Sequence, residues 1–253
     1  MAKENMEMRT GKRGQVTLFI IVGIMIVSAI LIFILWIRPT YLIDKGANMG
    51  LDRCVQDATE RAILELGLKA GYSNPDFTYL YGGEAIPYLC YINEYYKTCV
   101  IQKPFLKQHF EEQAEKRLKE EIGTCYTNSV DTLRAQGYDV VAGKVEYNMS
   151  IEPGVVKVEV NAPTSVGGQR FTKFNIRVNS PLYEMLMIAT SILQYESHYG
   201  DADITTTMAL YPNYLIDKVK RGDGTTIYIM EDKLTKTKFQ FASRSLAWPA
   251  GYS

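Results

Sequence analysis

The chain has 253 residues, 47% of them hydrophobic, and its 28 Lys and Arg are balanced by 28 Asp and Glu. Without an N-terminal tail and an apolar run, about 215 residues remain, enough for one large domain or two small ones with a real core. The neutral balance and the lack of a basic patch argue against nucleic acid as a partner.

The N-terminal part is dominated by an apolar run at residues 15–37, which holds 23 residues and no charged side chain. A helix of that length measures roughly 34 Å and can cross the hydrocarbon core of a bilayer. We therefore predict a transmembrane helix there. Its small residues Gly23, Ser28 and Ala29 are the candidates for close packing against another helix.

The charges on the two sides of this run differ. Residues 1–14 carry four basic and two acidic side chains, whereas 24 basic and 26 acidic side chains follow from residue 38 onward. Because positive flanks stay inside the cell, we expect a cytoplasmic basic leader at 1–14 and an extracellular C-terminal part.

Basic residues and a glycine directly precede the apolar run, as Lys12-Arg13-Gly14-Gln15. An ordinary secretory signal has a shorter apolar core with a small-residue cleavage site after it. The observed arrangement resembles the class III signal of archaeal type IV pilins and archaellins. The resemblance implies that a prepilin-type peptidase cuts between Gly14 and Gln15 and leaves the helix on the mature protein.

One position departs from that family, because many pilins carry a glutamate where this chain has Phe19. The alternative is an uncleaved single-span anchor. The layout also resembles uncharacterised membrane-anchored surface proteins of small-genome archaea, through RGQVTLFIIVGI, LGLKAGY, YLCYINEYYKTC and a helix closed by Cys125. This second resemblance covers about half of the chain and brings no biochemical role.

All four cysteines, Cys54, Cys90, Cys99 and Cys125, follow the apolar run. An even number outside a cell favours disulfides, and no pair has the two-to-four-residue spacing of a zinc site. We therefore predict no metal and no cofactor. Of the three possible pairings, the helix layout favours Cys90–Cys99 as a local loop and Cys54–Cys125 as a link between two helices.

Three amphipathic helices are predicted after the apolar run, around residues 51–70, at 104–133 and from Ser180-Pro181 onward. Acidic and basic side chains in the second helix, such as Glu111, Glu112 and Glu115, favour a solvated face with ion pairs over a metal site. The apolar stripes are Leu51, Val55, Ala58, Ala62 and Leu66; Phe105, Phe110, Ala114, Leu118 and Ile122; and Leu182, Leu186, Ala189, Ile192 and Leu193.

Residues 76–100 contain six tyrosines. They could form an exposed adhesive or subunit-contact surface, but a loop-rich region that uses tyrosine as its core is the favoured interpretation.

Alternating patterns predict an antiparallel meander at 139–153, 154–163 and 170–179, and a hairpin at 225–232 and 238–245. Residues 217–225 are expected to form a charged surface turn between these groups. The sequon Asn148-Met149-Ser150 makes Asn148 a possible glycosylation site, although its place inside a strand weighs against this.

No catalytic motif is present, and we predict that the chain is not an enzyme. The one enzyme-like group is Glu196, His198, Asp201 and Asp203. It could bind a divalent metal or shuttle protons, but a polar helix end is the favoured interpretation.

The predicted fold class is α+β, with an N-terminal transmembrane helix, a disulfide-braced helical region at 38–136 and an antiparallel sheet domain with a covering helix at 137–253. The expected function is that of an exported surface protein, a pilin-like structural or adhesive subunit. The expected partners are membrane lipid, a prepilin-type peptidase, and copies of itself or other surface subunits. The alternative is a membrane-tethered enzyme or ligand-binding protein without a filament role.

Overall fold

The computed structural model describes residues 13–247, except for the side chains of 13–20 and 34–49. The chain divides into two compact units, Met1–Asn48 and Met49–Ser253. The division falls within the first helix, α1, which is Arg13–Gly67.

The second unit holds three further helices and ten strands within the described residues. The helices are α2 (Leu106–Ala135), α3 (Leu182–Tyr199) and α4 (Ile204–Leu210). The strands are β1 (Thr78–Tyr81), β2 (Glu84–Tyr91), β3 (Val100–Ile101), β4 (Val140–Ala142), β5 (Glu146–Glu152), β6 (Val155–Val166), β7 (Gln169–Asn179), β8 (Tyr214–Lys220), β9 (Thr225–Asp232) and β10 (Lys238–Arg244).

These strands form two sheets. The six-stranded sheet has the order β1-β2-β10-β9-β8 with β3 also paired to β2, and the four-stranded sheet has β6 between β7 and the pair β4 and β5. All pairings are antiparallel except that of β10 with β2, which is parallel. The chain is therefore α+β with largely antiparallel sheets, as predicted, and the meander and the hairpin are confirmed as β5–β7 and β9–β10.

Helix α3 packs against strands of both sheets and against α2, so it lies in the core and is more than a covering helix. Its five predicted core residues are all buried, together with Met185, Ile188 and Glu196. The helix ends at Gly200, whose φ of 79° is the left-handed conformation that glycine adopts without strain.

The core stripes of the first two amphipathic helices are also confirmed, with one exception. Every predicted stripe residue of α1 is buried, and so are those of α2 from Phe110 onward. Phe105 is exposed, because it is the N-cap residue of α2 and stands outside the first helical turn.

Residues 76–100 and 214–220 differ from the prediction. The tyrosine-rich segment forms β1 and β2, and the expected charged turn begins inside β8. Strand β2 pairs with β10, so the six-stranded sheet joins both sides of the predicted boundary at residue 136. Residues 49–253 consequently form one compact unit where two regions were predicted.

Within the described part of the chain, no helix contains a segment both long and apolar enough to cross a membrane. The predicted span at 15–37 includes residues 15–20 and 34–37, whose side chains lie outside that part.

Candidate functional site

The first candidate site is the apolar segment of α1 at residues 21–33. Every side chain described there is exposed, and its ten large apolar side chains have exposed fractions of 40% to 67%. Because they follow one another along the helix, they cover all sides of it. An apolar surface of this extent makes the segment a candidate contact surface.

The predicted helix-packing residues lie in this segment. Gly23 has no neighbouring atom within 4 Å of a Cβ built on it, and the Ser28 hydroxyl donates to the Ile24 carbonyl at 2.5 Å. The serine therefore brings no unsatisfied donor into an apolar environment. On an ideal helix Gly23 is about 140° from Ser28 and about 120° from Ala29, so these residues do not form a single stripe.

The predicted processing site lies at the N-terminal end of the residues that the structure describes. Lys12 lies outside the described residues, and the backbone of Arg13, Gly14 and Gln15 belongs to α1 while their side chains are not described. Cleavage after Gly14 stays a prediction.

Both disulfides have the predicted pairing. Cys54 of α1 is bonded to Cys125 of α2 across 71 residues, and Cys90 of β2 is bonded to Cys99 across nine. No free cysteine remains among the described residues. The long link fastens the C-terminal half of α1 to α2.

The six tyrosines of residues 76–100 fall into two groups. Tyr79, Tyr81, Tyr88 and Tyr91 surround a small second core on the six-stranded sheet, as the favoured interpretation predicted. Tyr95 and Tyr96, inside the Cys90–Cys99 loop, are 75% and 78% exposed, which suits the contact surface of the alternative interpretation.

The four residues of the enzyme-like group do not converge on one site. His198 is exposed, and its Nδ1 lies 2.8 Å from the Gln194 carbonyl. Asp203 caps α4 and accepts from the Thr205 amide at 2.9 Å. The described residues contain no cluster of three or more His, Cys, Asp or Glu side chains that could hold a metal.

Asp201, the third member, accepts hydrogen bonds from Lys218 and from Lys220. The Lys218 ammonium also donates to the Ala202 carbonyl at 2.7 Å. These contacts hold the loop after α3 against β8, which is a structural role.

Glu196 is the most deeply buried carboxylate of that group, with 1% of its surface exposed. It accepts hydrogen bonds from the hydroxyls of Tyr228 and Ser243, the latter at 2.9 Å. Burial raises the pKa of Glu196, while the two hydrogen bonds and the nearby Lys218 act in the opposite direction. A substrate could not reach this carboxylate from solvent. Its hydrogen bonds connect α3 to the six-stranded sheet.

Two glutamates of α2 have a role that the sequence did not indicate. Glu111 accepts from the Ile151 amide at 2.7 Å, and Glu115 accepts from the Met149 amide at 2.9 Å. Both amides belong to β5, an edge strand. Unpaired amides at a sheet edge invite pairing with another chain, and these carboxylates occupy two of them.

Asn148 lies on the outer side of β5, exposed between neighbours that point the other way, such as the buried Met149. The structure therefore leaves the sequon open to solvent on one face. Glycosylation stays a prediction.

A second candidate site is an open cleft of about 470 Å³ in the second unit. Four parts of the chain form it: Gly154 in the β5–β6 turn, the start of α3 with Glu184, residues 210–214 up to Tyr214 at the start of β8, and the end of β9 with Asp232 and the turn after it. Sequence reasoning missed this group because its members are distant along the chain and no motif joins them.

No family model matches the chain, and no curated protein or solved structure matches it either.

Proposed function

We propose that this protein is an exported, single-span surface protein of the type IV pilin-like kind, with a structural or adhesive role. The observation that carries the proposal is the surface of α1. Residues 21–33 expose apolar side chains on all sides, whereas the same helix from Leu51 to Leu66 buries an apolar face in the second unit.

An apolar helix surface that is exposed all round needs a cover. At about 25 cal/mol for each Å² of apolar surface, leaving ten large side chains in water costs many kcal/mol. Lipid provides one cover, and the equivalent helices of neighbouring subunits provide another. A pilin-like subunit uses the first before assembly and the second in the filament.

The disulfides support an extracellular location for the second unit. Both bonds lie C-terminal to the apolar segment, and disulfides of this kind persist in oxidising compartments. The basic leader at 1–14 supports the same orientation, with the N-terminus in the cytoplasm.

The test is the N-terminus of the protein isolated from its native membrane. Mass spectrometry should find a chain that begins at Gln15. The variant Gly14→Val should keep the leader, because the peptidase requires a small residue before the cut. The matched control Gly11→Val changes a glycine three residues upstream and should be processed normally.

A native chain that still carries residues 1–14 would contradict the pilin-like proposal and leave a permanent anchor. Equal processing of the Gly14→Val and Gly11→Val variants would also contradict it, because the cut would then be insensitive to the residue at the junction.

The alternative function, a tethered ligand-binding protein without a filament role, is favoured by the cleft at Glu184, Tyr214 and Asp232. The two functions differ in the fate of α1. A tethered binding protein keeps the leader and stays monomeric in the membrane, whereas a pilin-like subunit loses the leader and is recovered in high-molecular-weight assemblies.

A further inference from the structure

We propose that the cleft at Glu184, Tyr214 and Asp232 binds the ammonium group of a lysine side chain from a partner protein. The inference does not depend on whether the leader is cleaved, since every residue of the cleft belongs to the second unit.

Two polar groups of the cleft lack a hydrogen-bond partner in the described part of the chain. The Glu184 oxygen Oε2 is buried and accepts no hydrogen bond. Tyr214 is only 8% exposed, lines the cleft, and its hydroxyl takes part in none of the hydrogen bonds found among the described side chains. A buried polar atom without a partner is costly, so Glu184 Oε2 favours the approach of a hydrogen-bond donor.

The electrostatics of the cleft favour a cation. Burial raises the pKa of Tyr214 to about 12, and the negative charges of Glu184 and Asp232 contribute to the rise. Asp232 uses its Oδ2 to accept from the Thr235 amide and hydroxyl. A positive group placed among these oxygens would be attracted by two carboxylates.

The cation nearest in the chain, Lys233, does not occupy this position. Its ammonium donates to the Pro212 carbonyl at 2.7 Å, and Lys233 is not part of the cleft lining. The two carboxylates therefore have no ion pair with any side chain of the described residues.

The rim identifies the rest of the ligand. Three apolar or aromatic side chains line the rim of the cleft. Leu210 is 71% exposed, Leu234 is 88% exposed, and Tyr211, which follows α4, is 39% exposed. Apolar side chains around an acidic centre suit a cation at the end of an aliphatic stem, as in lysine. Ca²⁺ and Mg²⁺ instead take six or more oxygen ligands, and the described residues bring no group of three or more His, Cys, Asp or Glu side chains together.

A simpler role for Glu184 accounts for only part of these observations. As an acidic residue in the first turn of α3, it is stabilised by the helix dipole. That role explains its sequence position but does not require a buried Oε2 without a hydrogen-bond partner.

The test is a binding measurement on the full chain in nanodiscs of zwitterionic lipid, with empty discs as the blank. The probe is the peptide acetyl-Gly-Lys-Gly-amide, followed by saturation-transfer NMR of its lysine methylenes. The same peptide with an acetylated lysine serves as the neutral control, and spermidine serves as the free-polyamine arm.

We expect the lysine peptide to bind and the acetylated peptide not to bind. Glu184→Gln should weaken binding about tenfold, because a charge-assisted hydrogen bond is lost, and Tyr214→Phe about threefold. The control Asp217→Asn removes an exposed charge from the outer side of the same strand, β8, and should change the affinity less than about twofold.

Three results would overturn the proposal: equal binding of the lysine and acetyl-lysine peptides, equal effects of Glu184→Gln and Asp217→Asn, or binding of spermidine without binding of the lysine peptide. Thermal unfolding of each variant shows that it is folded, and both key substitutions conserve the shape of the side chain.

Discussion

Glu196 illustrates what one buried carboxylate does to stability. Because burial raises its pKa above the ordinary 4.5, the unfolded chain releases the proton at lower pH than the folded chain. The contribution of Glu196 to stability is therefore fully present below pH 4.5 and is lost as the pH rises through the folded-state pKa, by about 1.4 kcal/mol for each pH unit by which the pKa is raised.

The variant Glu196→Gln should remove this dependence. It keeps an oxygen for the Tyr228 hydroxyl and offers an amide to Ser243, so at pH 8 its free energy of unfolding should exceed that of the wild type. Glu196→Ala leaves both hydroxyls buried without a partner and should cost about 2–4 kcal/mol. Denaturant unfolding at pH 4.5 and 8 measures both, and a less stable Gln variant at pH 8 would contradict the argument.

His109 gives stability the opposite pH dependence. It is buried against Tyr72, with ring centroids 4.5 Å apart, and its Nε2 has no partner in the described part of the chain. Burial lowers its pKa to about 4, Lys103 and Lys116 act in the same sense, and Glu112 opposes them. The folded state therefore resists protonation of His109, whereas the unfolded chain binds the proton near pH 6.5.

Stability from this group is present above pH 6.5 and is lost as the pH falls to 4, by up to about 3 kcal/mol. His109→Phe keeps the ring and removes the titration, so the loss of stability between pH 6.5 and 4 should become smaller. Denaturant unfolding at four pH values in this interval measures it. The control is His198→Phe, which replaces the exposed histidine and should leave the slope unchanged; equal slopes in all three proteins would contradict the assignment.

At the scale of elements, local patterns predicted local structure well. A few consecutive residues determine which face of a helix or strand is buried. This holds for the apolar stripes of α1, α2 and α3, and for β6, where Val156, Val158 and Val160 alternate with polar residues. The Cys54–Cys125 disulfide followed from the same helix positions, and the Cys90–Cys99 disulfide from the short spacing of its two cysteines.

The elements that were missed depend on distant partners. Strand β2 pairs in parallel with β10, and Tyr88 lies opposite Ala242. The pattern of polar and apolar residues within β2 does not indicate a partner so distant along the chain. Likewise, Glu111 and Glu115 were correctly placed on a helix, and Glu111 forms an ion pair with Lys107. Their contacts with β5 depend on the packing of α2 beside a sheet edge.

Strand β5 provides a test of modification. If the second unit is extracellular, Asn148 should carry an N-linked glycan, since its side chain is exposed and Ser150 completes the only sequon of the chain. Mass spectrometry of the tryptic peptide should show the added mass in the native protein and its loss in Asn148→Gln.

Asn175 is a matched control, because it is also exposed and lies on β7, a strand of the same sheet, without a sequon. Asn175→Gln should change nothing, whereas Arg177→Ser places a serine two residues after Asn175 and should add a second glycan. An unmodified Asn148 in a protein whose disulfides are formed would contradict the premise that an exposed sequon on β5 is sufficient for glycosylation.

At the scale of the whole molecule, residues 49–253 fold as one unit because each part of the sequence contributes to a shared core. Strand β2 enters the sheet of β8–β10, and α3 contacts both sheets. The contacts that close this unit therefore join residues that are distant along the chain. A crosslink between such residues should stabilise the unit more when it closes a longer loop, with a logarithmic dependence on the loop length.

The disulfides allow that expectation to be measured. On the loop-entropy argument, the Cys54–Cys125 bond, which spans 71 residues, should stabilise the second unit by about 4 kcal/mol. The Cys90–Cys99 bond spans nine residues and should contribute somewhat under about 3 kcal/mol. Each double Cys→Ala variant should lower the free energy of unfolding by its own amount.

Denaturant unfolding of the oxidised wild type and the two double variants, all without reductant, provides the comparison. The Cys54→Ala, Cys125→Ala protein should be the less stable of the two, because its unfolded chain regains more conformational freedom. The opposite order would contradict the loop-entropy argument and would indicate that the short loop contributes through its native contacts, such as the approach of Cys99 Sγ to the Ser243 hydroxyl at 3.5 Å.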